Sequence, residues 1–147
     1  MRVSARADYA LRGLIELAAD TGRPLTCEEI AVAQDVPARF LKAVIAQLRR
    51  ADLVRSQRGC EGGYWLARPA GQITVGDVVR AVDGPFPLLH ADPGSHPAFT
   101  GPDLALADLW RAAAASLERV VDEVTVADLV EGRLPPQLMT TIPGAAG

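Results

Sequence analysis

The chain has 147 residues, 49% of them apolar, and a formal net charge of −3. That size suits one domain with a proper core, no apolar run reaches the roughly 18 residues that span a membrane, and two cysteines cannot make a disulfide framework. The start MRVSARADYALRGL has no secretory cleavage pattern, so a reducing cytoplasm is the expected setting.

An acidic total speaks against a nucleic-acid ligand, but the charge is unevenly placed. Residues 1–69 carry 11 Lys and Arg against 8 Asp and Glu, whereas residues 70–147 carry 4 against 10. The window 37–69 holds 7 basic residues and 2 acidic ones. A basic segment on an acidic protein is a focused field of the kind that attracts phosphate. From charge alone, a solvated helix face reads the same way.

Ser4 predicts the N-cap of a first helix to about Asp20, with apolar pairs Tyr9–Ala10, Gly13–Leu14 and Leu17–Ala18 at helical spacing. TGRP then breaks it. Thr26 with Glu29 forms a capping box for a short helix over about 27–34. Asp35-Val36-Pro37 is a turn, and Pro37 is tolerated at a helix start because its missing N–H would be unpaired there. A third helix over about 38–51 has Phe40, Leu41, Val44, Ile45 and Leu48 as its expected buried stripe. Arg39, Lys42, Ala46, Arg49 and Arg50 fall on the other side. A short helix, a tight turn and a helix with a basic outer face is helix-turn-helix spacing. Leu53–Ser56 and Tyr64–Ala67 read as strands around a turn with three glycines, giving a hairpin edged by Arg55 and Arg58. Glycines at such a tip let backbone approach another surface closely. This order is that of a winged helix.

Thr74 with Asp77 caps a fourth helix over about 75–82. The Pro- and Gly-rich stretch 84–102 follows and holds both histidines. A long helix then runs to about Val124, where Leu106, Trp110, Ala113, Leu117, Val120 and Val124 make a heptad stripe. Such a stripe either packs on its own core or pairs with a partner chain. Thr125 caps a last turn, and the tail from about Leu134 is expected to be disordered. The expected class is mainly α with a small β-hairpin wing. Residues 1–83 form a winged helix-turn-helix DNA-binding domain, 84–102 a loop, 103–132 a dimerisation helix region and 133–147 a tail.

Taken in order, MRVSARADYALRGL, LTCEEIA, VPARFLKAVIAQLRRADLVRS, RGCEGGYWLARP and ITVGDVVRAVDGP resemble the IscR-like (Rrf-two) bacterial transcription regulators. LW at 109–110 and TVADL at 125–129 extend the likeness to about Val130. The resemblance implies a homodimer that binds double-stranded DNA at a palindromic operator. In that family the third helix enters the major groove, the wing lies along the minor groove or its phosphates, and the long helix dimerises. The helix start maps to Pro37, Ala38, Arg39 and Phe40. The wing maps to Arg58, Gly59, Cys60, Glu61, Gly62, Gly63 and Tyr64. Pro37 stands where a capping Ser is usual, and Glu61 replaces a frequent glycine. Many members ligate an iron–sulfur cluster through three cysteines in the loop before the long helix. Here that loop is HADPGSHPAFTG, which has none, and cluster ligation of this kind rests on thiolates. A member without a cluster or other cofactor is therefore expected.

Among the candidate residues, Arg39 suits bidentate reading of a guanine. Arg49 and Arg50 suit phosphate or solvent, and Arg55 and Arg58 suit the DNA backbone or minor groove. Cys60, beside Arg58 but also next to Glu61, and Cys27, near a helix N-terminus whose dipole favours thiolate, are the candidate redox residues, and Cys27 more commonly reads as a small, partly buried helix residue. His90 and His96, with Asp92 and Asp103, lack the spacing of a zinc signature, so no metal site is expected, and Asp8 reads as a surface or capping charge. The leading function is a dimeric, sequence-specific transcriptional regulator, in the sense of a repressor. The alternatives are a winged-helix adaptor for another protein and a thiol-based redox-sensing regulator. No phosphate loop or nucleophile motif supports an enzyme, and nothing in the sequence names an effector.

Overall fold

Helix caps set most of the element boundaries. In the computed structural model, which describes residues 3–19, 22–85, 101 and 103–140, helix α1 spans Ala5–Ala19. The Ala7 N–H donates to Ser4 Oγ at 3.0 Å. Helix α2, Cys27–Gln34, starts with the reciprocal capping box: the Glu29 N–H donates to Thr26 Oγ1 and the Thr26 N–H to the Glu29 carboxylate. Asp35 in the left-handed region (φ 51°) turns the chain, and Pro37 precedes helix α3, Ala38–Arg50. Leu41, Val44, Ile45 and Leu48 of α3 are buried against α1 and α2. Phe40 departs from its predicted place in that stripe. It is 49% exposed at the helix start, where its ring packs edge to face with that of Tyr9.

Strands β1, Val54–Gln57, and β2, Gly63–Leu66, pair antiparallel with Val54 opposite Leu66 and Gln57 opposite Gly63. Each is shifted by one residue from its predicted place. Leu53 joins α3 to the hairpin: its N–H donates to the Leu48 carbonyl at 3.0 Å and its own carbonyl accepts from the Ala67 N–H at 3.0 Å, just before the first paired residues, Val54 and Leu66. The wing base is pinned by a third segment. The Leu25 N–H donates to Tyr64 O at 3.1 Å and the Tyr64 N–H to Leu25 O at 2.8 Å.

Helix α4, Val75–Asp83, follows a single 3₁₀ turn, Ala70–Gln72, and begins with the Thr74–Asp77 capping box. Helix α5 spans Asp103–Glu123, and α6, Val126–Val130, carries a third such box from Thr125. The end of α5 is stitched onto the start of α4. The Val75 N–H donates to Val124 O at 2.8 Å and the Val126 N–H to Ile73 O at 2.9 Å. Arg80 of α4 grips both carboxylate oxygens of Asp122, at 2.6 and 3.3 Å. The core joins Leu14 of α1, Ile30 of α2, Leu41, Ile45 and Leu48 of α3, Val78 of α4 and Val126 of α6. Within the tail expected to be disordered from Leu134, one helical turn forms, α7, Pro136–Met139, whose prolines suit a helix start, and residues 141–147 lie outside the described residues. No helix among the described residues is long and apolar enough to cross a membrane.

Candidate nucleic-acid interface

The outward face of α3 and the wing carry the basic window. Arg39, Lys42, Ala46, Arg49 and Arg50 are exposed on α3, Ala38 is half-buried, and Arg55 and Arg58 are exposed on the wing. Among the described residues, Arg6, Arg12, Arg23, Arg80, Arg111 and Arg133 each hold a carboxylate. Arg39, Lys42, Arg49, Arg50, Arg55 and Arg58 hold none. Elsewhere only Arg68 and Arg119 also lack one among those residues. Among the described residues, these six cations on adjacent elements have no carboxylate partner, which leaves a cationic surface open to a ligand of opposite charge. Arg49 and Arg50, in the last turn, also face the negative end of the helix dipole.

The wing tip needs its glycines. Gly59 has φ +114°, which L side chains rarely adopt. A Cβ on Gly62 would sit 2.6 Å from the Gln57 carbonyl oxygen, and one on Gly63 2.7 Å from that of Leu25. Tyr64 is half-buried beside them, and the Trp65 Nε1–H donates to Gln57 Oε1 at 3.1 Å across the hairpin. Glu61 is exposed at the tip, and the groove beneath it is lined by Thr26, Glu29, Gln57, Cys60 and Trp65. The Glu29 carboxylate accepts from Arg23 and from the Thr26 N–H, which hold its pKa down at about 2.

The two thiols differ. Cys60 is exposed. Cys27 is buried, its Sγ–H points at the Ala38 carbonyl at 3.6 Å, and burial, then Glu28, push its pKa up while Lys42 opposes them. Burial works against a thiolate at Cys27. One cysteine in the core and one on the wing do not supply the several thiolates of a cluster. The described residues hold no group of three or more His, Cys, Asp or Glu placed to bind a metal. His90, His96 and Asp92 lie outside the described residues, as does the side chain of Asp103. Asp8 pairs with Arg12 at 2.9 Å on the surface of α1.

On α5, Leu106, Trp110, Ala113 and Val120 are exposed and Leu117 is half-buried. Val124 is corrected: only 6% of it is exposed, because the strand-like link to α4 buries it within its own chain. Leu104 and Leu109, outside the predicted stripe, are 53% and 57% exposed. Leu109, three residues after Leu106, widens the apolar band and was available from helical spacing, whereas Leu104 lies about 160° round the helix from Leu106 and outside the band. The Arg80–Asp122 contact was not, since 42 residues separate its partners.

Residues 3–132 match the Rrf2 family, described as iron-dependent transcriptional regulators. The chain belongs to the Rrf2 family. A protein of Mycobacterium tuberculosis strain H37Rv that bears an HTH-type transcriptional regulator name is 43% identical over 136 residues, 92% of this chain and 84% of that one. The solved structure of CymR, the global cysteine regulator of Bacillus subtilis, superposes with a TM-score of 0.75 at 31% identity, covering 90% of this chain and 98% of that one. IscR of T. potens gives 0.72 at 31% identity, over 90% and 88% of the two chains. This Rrf2 chain is therefore a winged-helix, DNA-binding transcriptional regulator, of a family that is not enzymatic.

Proposed function

We propose that this Rrf2 regulator acts as a homodimer on a two-fold operator, with α3 in the major groove, the wing on the adjacent backbone, and repression as the outcome. The observation that carries the reading is the set of six unpaired cations on α3 and the wing. Arg39, at the start of α3, is the base-reading residue, since recognition helices read bases with their N-terminal turn. Lys42, Arg49, Arg50, Arg55 and Arg58 contact phosphate, and Gly59, Gly62 and Gly63 let the wing backbone come close. The exposed apolar band of α5 pairs two copies, because contiguous apolar patches mark interfaces. No iron–sulfur cluster takes part, since the donor set does not fit one. The family's iron dependence would then be absent from this member or differently built.

The test is selection of bound duplexes from a random pool, then affinity against salt. Arg39→Ala should cost about 1–3 kcal/mol on the selected duplex and little on random DNA, whereas Arg58→Ala should weaken both alike. A steep fall of affinity with salt is expected of phosphate contacts. Equal losses for Arg39→Ala on both duplexes refute base reading, and a salt-insensitive complex refutes the phosphate contacts.

A further inference from the structure

The exposed side of α3 has two unlike flanks. At about 100° per residue, Arg39, Ala43, Ala46 and Arg50 make the centre of the outward face. Lys42 and Arg49 lie on one flank, and Phe40 and Gln47 on the other. The first flank is cationic. The second carries no charge, and its leading residue is an aromatic ring with 49% of its surface exposed. That ring is held. The Tyr9 ring of α1, itself packed on the core, meets it edge to face with centroids 5.8 Å apart and planes at 84°.

We propose that Phe40 determines specificity by packing on the C5-methyl group of a thymine in the major groove, with Tyr9 as the residue that positions its ring. This rests on the proposed placement of α3 in that groove. The methyl of thymine is the one apolar group that base pairs present there. It lies at the groove margin, toward the backbone of its own strand, where a flank side chain meets it. Phe40 offers no donor or acceptor for a phosphate or a base edge, so apolar contact is the chemistry open to it. The cationic flank faces the opposite strand's phosphates, and the short Ala43 and Ala46 side chains allow close approach between the flanks.

The experiment uses the full chain and a duplex that the wild-type protein has selected. Each thymine is replaced in turn by deoxyuridine, which lacks only the methyl group. At one thymine per half-site the wild-type protein should lose about fourfold in affinity, the weight of one buried methyl. For Phe40→Ala the same replacement should cost nothing, and Phe40→Leu should keep part of the discrimination. Arg39→Ala should keep all of it despite binding more weakly. Tyr9→Leu should reduce the discrimination with its melting temperature close to wild type. A wild-type protein indifferent to every thymine methyl, or a Phe40→Ala protein as sensitive as wild type, overturns the proposal and leaves the groove reading standing. A wild-type protein that selects no duplex overturns both.

Discussion

Gly63→Ala tests how the wing is anchored. The new Cβ would lie 2.7 Å from the Leu25 carbonyl oxygen, 2.8 Å from its carbon and 3.1 Å from its nitrogen. These are backbone atoms and cannot swing aside as a side-chain end does. Moving them from 2.7 Å to an ordinary contact of at least 3.4 Å pulls Leu25 away from Tyr64. The two hydrogen bonds there, now 2.8 and 3.1 Å, would stretch past bonding distance. Each is worth about 0.5–1.5 kcal/mol. Partial lifting of the buried Leu25 side chain adds roughly a third of the 1.5–3 kcal/mol of full burial. Alanine returns about 0.4–1 kcal/mol by restricting the unfolded chain. The net loss is about 2 kcal/mol, or about 4–8 °C in melting temperature for a chain of this length. Circular dichroism melts would measure it. Gly71→Ala is the control, since its Cβ meets only Ala127 Cβ at 4.0 Å, and it should melt within about a degree of wild type. DNA affinity of Gly63→Ala should fall on all sequences alike, because the wing moves as a unit. A Gly63→Ala protein that melts with wild type would show that the Leu25–Tyr64 pairing does not anchor the wing.

Three further outcomes follow from the described geometry. Trp110→Asp places a charge in the exposed apolar band of α5 and should give a monomer mass in light scattering where wild type gives a dimer; a wild-type monomer at micromolar concentration refutes dimerisation through α5. Glu29 has its folded pKa lowered to about 2 from an ordinary 4.5, so its stabilisation is fully present above about 4.5 and is lost as the pH falls through about 2. The melting difference between wild type and Glu29→Gln should therefore shrink from pH 6 toward pH 2, and a constant difference would exclude the Arg23–Glu29–Thr26 cluster as its source. An aromatic disulfide reagent should label Cys60 quickly in the native protein and Cys27 only on unfolding, so that Cys60→Ser removes the fast phase; a fast phase that survives in Cys60→Ser would contradict the burial of Cys27.

Local chemistry was legible in the sequence, and this covers much of the fold. The capping boxes at Thr26, Thr74 and Thr125 involve partners three residues apart, so spacing alone placed the starts of α2, α4 and α6. The apolar period of α3 identified Leu41, Val44, Ile45 and Leu48 as core, and the glycines marked the wing turn. The same period misplaced Phe40, because periodicity says which side of a helix faces inward but not where the neighbouring helices stop. Only the tertiary structure showed the Phe40 ring half open beside Tyr9. Cys27 likewise sits at a helix start in sequence, and only packing showed how deeply it is buried, which pushes its thiol pKa up. The Arg80–Asp122 grip and the burial of Val124 depend on a chain return between segments far apart, and no local pattern encodes the distance between two elements that meet only after folding.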